Sequence, residues 1–416
     1  MNKHQQSGMT TLLITSMLLI VALLFSLASY KNLFYQIKRT QNEVLARQAH
    51  WAAEGGLECG FAAIQDAGSI SGARPTFNDC ETSLKLADVD VDDETMVSTY
   101  DNLAKATINK KIKFKRGSSS GAIKSSSDIY INGSSYFPTV DPGELAYDGW
   151  ECVAIRYKNI FSALAGATNV GVTTIEPYSG FIEKNNNKMD CKKSNKTNIA
   201  VNGPFGMDFF NDENLEPFED LFNEKRTNWN RVKTGLNFVI IDDPSNIKDG
   251  NKVISECGKK IANEVEKNAN RRLWVDGSCE IKDTEIDLLK KAFVDNSEPI
   301  LLLIHDGIFA INGSMNFPGM LYHLNTDFTP TATFWDNFDT KAYFGNYSLF
   351  PGLEKKNTVY HQRGSFVFSG GQVLDSPGYA AYFEQSLNFS FNRDNIDKVV
   401  SPYYVIEWQQ GSWHDF

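Results

Sequence analysis

Beyond residue 30 the 416-residue sequence has no apolar run of membrane length. The longest, Pro299–Ile304, is the size of one strand. Histidine is scarce: His4, His50, His305, His323, His361 and His414 are the full set. None sits in an HExxH string and none is four residues from another, so a helix-borne zinc motif is excluded. No CxxC occurs, which removes zinc ribbons and thioredoxin-like redox motifs. No GxSxG nucleophile elbow is present. Gly258-Lys259 lacks a phosphate-loop context, because Val253 stands where its first glycine belongs. The chain also lacks a basic excess: 41 Lys and Arg face 51 Asp and Glu, a net charge of −10. That balance disfavours wrapping nucleic acid by bulk electrostatics. The expectation is a protein that is not an enzyme, with no catalytic, cofactor-binding or metal residues.

What the sequence does contain begins at Met9. From there to Tyr30 no side chain is charged, and Gly8 stands directly before the run. Three readings fit. A secretory signal needs a shorter core and a small-residue cleavage site, which Ser26, Ala28 and Ser29 imitate poorly. A transmembrane helix fits the length, since 22 residues span about 33 Å. The third reading keeps the helix and adds a cut after Gly8, at the end of a short polar leader carrying Lys3.

Helical signals continue past the run. Leu33, Ile37, Val44, Trp51, Leu57, Phe61 and Ile64 recur at spacings compatible with one face, and no proline interrupts them. Gly55-Gly56 is a weak point at which a bend is expected. Further on, "NKKIKFKRG" alternates Lys with Ile112 and Phe114, the pattern of a lysine-protected edge strand. "DVDVDDE" from Asp88 departs from a calcium loop, with Asp93 where glycine is required and Thr99 at the last ligand position. It reads as a solvated strand or loop. The serine-rich stretch Ser118–Ser127 reads as a flexible loop. Helical patterns occupy "NLEPFEDLFNEKR", "KKIANEVEKNANR" and "KDTEIDLLKKAFV". From Pro299 the sequence turns to short strands divided by DG and NG turns. Ile-Asn-Gly-Ser-x-x-Phe-Pro occurs twice, at Ile131–Pro138 and Ile311–Pro318, as a reused turn.

Six cysteines remain: Cys59, Cys80, Cys152, Cys191, Cys257 and Cys279. An even number on an exported body suggests disulfides in an oxidising compartment. The sequence does not choose among the possible connectivities. The nearest-neighbour set, Cys59–Cys80, Cys152–Cys191 and Cys257–Cys279, is the expected one. Charge distribution pulls against export: Lys31, Lys38, Arg39 and Arg47 follow the run while only Lys3 precedes it. The cysteines and the acidic body favour the outside, and that orientation is adopted.

The amino-terminal pattern, with Gly8 before an aliphatic run and then Arg47-Gln48-Ala49 and Ala52-Ala53-Glu54, resembles the PilX-type minor pilins of the type IV pilus. The ending "GSWHDF" is similar to endings in that group. The clear resemblance covers about the first 60 residues. It implies cleavage between Gly8 and Met9 by a prepilin peptidase, N-methylation of the new terminus, and other minor and major pilins as partners. It also implies a single pass through the inner membrane, a periplasmic head, and later display at the pilus tip. A host surface or DNA is a further candidate partner, through adhesion, aggregation or DNA uptake. One departure is informative. Most pilins carry glutamate at the fifth mature residue, and here that residue is Leu13. A carboxylate in hydrocarbon requires a partner; in the family picture it meets a neighbour's terminal amine. A subunit with Leu13 offers only its own amine, which suits the end of a filament and a role in initiating assembly. The tip pseudopilin of type II secretion, GspK, is an alternative relative, and an unprocessed membrane-anchored envelope binding protein is a second alternative.

The expected fold is α+β: a long amino-terminal pilin-like helix carrying a large mixed head with a β-rich, β-helix-like carboxyl-terminal part. The expected divisions are 1–8 leader, 9–30 transmembrane and packing helix, 31–66 amphipathic continuation, 67–298 mixed head and 299–416 β-rich region.

Overall fold

The computed structural model describes residues 5–67, 70–92, 95–115, 121–235, 238–267, 271–400, 405–412 and 414–415. The leader residues 1–4, residues 116–120 and the last two residues of "DVDVDDE" fall outside them; the described part of the serine-rich stretch, 121–127, is buried and carries the strand Ile123–Ser125 instead of the expected flexible loop. The chain divides into two units: residues 1–115 with 405–416, and residues 116–404. The division expected at residue 298 falls between Arg272–Asp276 and Ile300–His305, two hydrogen-bonded strands of one sheet.

In the first unit, α1 (Gln5–Ala67) runs 63 residues without interruption. Gly55-Gly56 does not break it. A Cβ on Gly56 would meet Ser98 Oγ at 2.2 Å and Leu86 Cδ1 at 2.5 Å, so this glycine allows close approach of the head to the helix. Helix α2 (Ile70–Leu84) follows, then strands β1 (Asp88–Asp92), β2 (Thr95–Asp101) and β3 (Lys105–Lys115). Val89 and Val91 are buried between exposed or half-buried aspartates, the alternation of a strand with one wet face. The expected edge strand β3 is interior over part of its length. It pairs with β2 over residues 105–111 on one side and with Val405–Trp408 and His414–Asp415 on the other, all antiparallel. Over residues 112–115, which carry Lys113 and Lys115, the described partner is Val405–Trp408 alone, a segment some 300 residues away. Lys110 lies 4.3 Å over the Trp408 ring, which stacks on Phe61 at 4.5 Å. The core joins Ala53, Leu57 and Ile64 of α1 to Phe77, Val91, Met96, Ile108, Ile112 and Ile406. The expected helix stripe is only partly a packing face: Leu33, Ile37, Val44 and Trp51 are exposed.

The second unit contains two eight-stranded sheets. Across the first, the order is Phe209–Asn211, Ile155–Tyr157, Ile123–Ser125, Gln372–Asp375, Gly319–Leu324, Ile300–His305, Arg272–Asp276 and Val239–Ile241. Every neighbour is parallel. The second sheet takes the strand that follows six of these in sequence, from Phe161–Ala163 through Asp128–Asn132, Ala380–Glu384 and Thr358–Arg363 to Phe309–Asn312 and Ser278–Ile281, and ends in Asn251–Ile254 and Ile247–Lys248, the last antiparallel. Shorter strands make a third face: Ser135–Phe137 pairs with Ala165–Asn169 and Leu387–Asn388, and Met315–Phe317 with Phe366–Phe368. The unit therefore starts in the middle of its own sheets. Residues 123–137 are laid down first, later strands add on one side, and Gln372–Asn388 closes against them from the other.

Strands buried on both faces read as continuous apolar runs. Ile300–His305, "ILLLIH", is buried at every position. Asn132-Gly133, Asp276-Gly277, Asp306-Gly307 and Asn312-Gly313 are corners at which the chain passes from one parallel sheet to the next, whereas Asp249-Gly250 is a hairpin turn between the antiparallel strands Ile247–Lys248 and Asn251–Ile254. Gly277 (φ +140°) turns the corner after Asp276. A Cβ on Gly307, one layer away, would lie 2.3 Å from Ser278 N, so successive corners stack backbone on backbone. The duplicated Ile-Asn-Gly-Ser-x-x-Phe-Pro string builds the corner between the second sheet and the third face in two separate layers, with the same burial at every position.

Candidate functional site

The apolar segment of α1 is the first candidate. Gly8 and Met9 lie within the helix, and Met9 is exposed. So are Leu12, Leu13, Ile14, Met17, Leu18 and Leu19, on all sides of the helix. The helix is long and apolar enough to cross a membrane. Two of its hydroxyls are satisfied internally: Thr15 Oγ1 donates to Thr11 O at 2.9 Å and Ser16 Oγ to Leu13 O at 2.9 Å. That satisfaction is what an apolar solvent requires. Leu13 leaves the fifth position after Gly8 without an ionisable group.

The cysteines pair as sequence neighbours: Cys59–Cys80, Cys152–Cys191 and Cys257–Cys279. The first ties α1 to α2. The second ties the segment after Gly149–Trp150 to the loop at 190–196, and the third joins the helix Cys257–Lys267 to Ser278–Ile281.

Two further places emerge only from the tertiary structure. His305, at the corner after "ILLLIH", is buried between Trp229 (ring centroids 4.2 Å apart) and Trp274 (5.1 Å). Its Nδ1 lies 3.2 Å from Asp276 Oδ1 and its Nε2 3.3 Å from Thr326 Oγ1. This order resembles a nucleophilic triad, but its hydroxyl and the adjacent amides are already engaged. Thr326 Oγ1 also lies 3.0 Å from Asp306 Oδ2, a strong acceptor for its proton. The backbone N–H groups of Thr326 and Asp327 both donate to Asp306 Oδ1, at 2.6 and 3.0 Å, and so do not face a developing oxyanion. Asp276 is also bonded to Lys233 (3.0 Å) and Lys252 (2.8 Å). The His305 hydrogen bond and these two ammonium groups hold its carboxyl well below the usual range. The cluster pins stacked corners together. Asp242 and Asp243 are likewise occupied, by Lys252 and Lys260; Ser255 and Lys260 lower the Asp243 pKa to about 2.

The second place is a cleft of about 890 Å³ on the second unit, lined by Asp141, Glu144, Glu151, Val153, Arg156, Lys192, Ser194, Asn195 and the segments 205–207 and 209–211. It lies at the end of one outward row of the first sheet, which runs Trp274, Leu303, Tyr322, Val373, Lys124, Arg156, Phe210. Helix Pro217–Phe222 covers the middle of that row, with Phe218 and Phe222 against Tyr322 and Asp220 on Lys124 at 2.6 Å. The row emerges at Arg156 and Phe210, which is 43% exposed.

No signal in the sequence located this cleft, because its walls come from segments some 70 residues apart. No family model matches the chain, and no curated protein or solved structure matches it.

Proposed function

We propose that the chain is a non-enzymatic minor pilin of a type IV pilus that helps initiate assembly at or near the filament tip. The observation that supports this reading most directly is the form of α1. It is one unbroken helix whose first part is an exposed apolar cylinder and whose last part, from Ala49 onward, buries one face against α2 and the sheet and is tied to α2 by Cys59–Cys80. An apolar surface of that size is not stable in water and needs lipid or other helices around it. A membrane anchor that later becomes a packing helix meets that need in both states. Under this reading the cut falls between Gly8 and Met9, and Leu13 makes the chain a donor of its terminal amine but not an acceptor. The bulk of the second unit agrees with a terminal position, since shaft packing favours small heads. We read the circuits of this unit, through two parallel sheets and a third face, as β-helix-like.

The test is the amino-terminal peptide mass of the mature protein in cells with and without prepilin peptidase. A chain that starts at N-methylated Met9, and keeps its leader when the peptidase is missing, is the expected result. A chain starting at Met1 in both strains, or beyond Tyr30, overturns the reading. Deletion of the gene is expected to reduce pilus number; unchanged pili with impaired type II secretion would instead favour the pseudopilin alternative.

A further inference from the structure

We infer that the cleft at the uncovered end of the first sheet binds a neutral, hydroxyl-rich ligand, a short oligosaccharide. The inference rests on the second unit alone and is independent of what becomes of the anchor.

The cleft is built in advance of any ligand. Disulfide Cys152–Cys191 joins the wall that supplies Glu151 and Val153 to the wall that supplies Lys192, Ser194 and Asn195. Asn195 Nδ2 donates across the same junction to Cys152 O at 3.3 Å. The third wall, Phe205–Asn211, is held from beneath by Asp208, which has no exposed surface. Its carboxylate accepts from Thr197 N at 3.0 Å, Thr197 Oγ1 at 2.5 Å and Asn169 Nδ2 at 2.9 Å. Gly206 N in turn donates to Thr197 Oγ1 at 2.8 Å. Walls fixed in this way spare a ligand the cost of ordering them.

The chemistry of the lining selects the ligand class. Most of its charges are already matched: Arg156 with Asp212 (3.3 Å), Lys192 with Glu151 (2.7 Å), and Asp141 with Arg393 (3.3 Å). Three carboxylates, Asp141, Glu144 and Glu151, line the cleft beside two cations, so polyanions are disfavoured. Matched ions keep spare donor and acceptor capacity, and a hydroxyl serves both because it donates and accepts at one atom. Between the polar groups lie ring faces. Phe205 is wedged against Phe161 (5.1 Å) and Phe209 (4.7 Å), and Phe210 carries the Arg156 guanidinium at 5.1 Å. Rings beside paired polar groups complement a sugar, which has apolar C–H faces and a polar rim.

The experiment uses the full chain in zwitterionic micelles, whose head groups contain no sugar. The probes are trisaccharides of glucose, galactose, mannose and N-acetylglucosamine, followed by ligand-observed saturation-transfer NMR. At least one is expected to bind, with strongest transfer from its carbon-bound ring protons. Phe210→Ala is expected to weaken that binding about tenfold or more, and Phe210→Trp to retain it. Glu151→Gln, on an exposed side chain, is a second variant expected to weaken binding without changing the melting temperature. The inference is overturned if none of the four binds at millimolar concentration, or if binding is indifferent to both Phe210→Ala and Glu151→Gln. It is equally overturned if the site prefers sulfated saccharides or an unstructured peptide.

Discussion

Acid should loosen the second unit through His323, and the size of the effect follows from where this side chain sits. His323 lies in the row Val275, Ile304, His323, Leu374 of the first sheet, with no exposed surface. Nε2 donates to Gly307 O at 2.8 Å, while Nδ1 has no hydrogen-bond partner among the described residues. Burial disfavours the imidazolium and pushes the pKa from 6.5 down to about 4; the Gly307 carbonyl and Asp306 oppose this only in part. The unfolded chain takes up a proton near 6.5 and the folded chain not until near 4. The His323 contribution is therefore fully present above 6.5, is lost as pH falls through that window, and is flat below it. The loss is about 2 kcal/mol by pH 5 and about 3 kcal/mol at its limit. Burial lowers the pKa of His361 too, so it acts in the same sense. Burial raises the carboxyls of Asp141 and Asp375, which acts in the opposite sense. The diagnostic is accordingly a difference. Urea unfolding of wild type and His323→Gln, followed by tryptophan fluorescence at pH 7.5, 6 and 5, should give curves that converge by about 2 kcal/mol as pH falls. Glutamine can still donate to Gly307 O, so its own cost is constant with pH. Equal loss of stability in both proteins between pH 7.5 and 5 would refute the assignment of a neutral, buried His323.

Three further outcomes are expected. Gly319 combines φ of +127° with a Cβ site 2.0 Å from Ile300 O, so Gly319→Ala should cost about 3 kcal/mol or more by denaturant unfolding; Gly180→Ala (φ +78°, open space) should cost only about 1 kcal/mol. Replacing Cys257 and Cys279 together with serine opens a loop with a sequence separation of 22 and should lower stability by about 3 kcal/mol, seen as a reduced denaturation midpoint in non-reducing buffer. Asp220→Leu removes the carboxylate 2.6 Å from the buried Lys124 ammonium and should cost about 3 kcal/mol, most of which Lys124→Met in the same chain should recover.

Much that is local was legible in the sequence. The uncharged run and the absence of proline foretold α1 because helix formation and membrane compatibility depend on near neighbours. The helices at 257–267 and 283–295 followed from their apolar periodicity. The disulfides join sequence neighbours, as expected. "ILLLIH" announced a strand, and the duplicated Ile-Asn-Gly-Ser string announced a turn. What these signals lacked was a partner. A parallel strand pairs across a long connection, so its neighbour leaves no adjacent mark, and Asp-Gly looks the same in a hairpin as at a corner. β3 read as an edge along its whole length because the antiparallel segment that pairs with its far side lies some 300 residues away. The cleft was invisible for a stronger reason: Asp141, Arg156, Lys192 and Phe210 share no spacing and meet only because parallel layers stack. The sequence by itself determined the long apolar helix, the helices at 257–267 and 283–295 and strands such as "ILLLIH", each set by interactions within tens of residues. The order of the layers, the place of the cleft and the matching of its charges were decided by tertiary structure alone, because each depends on contacts between segments that the chain brings together only when it folds.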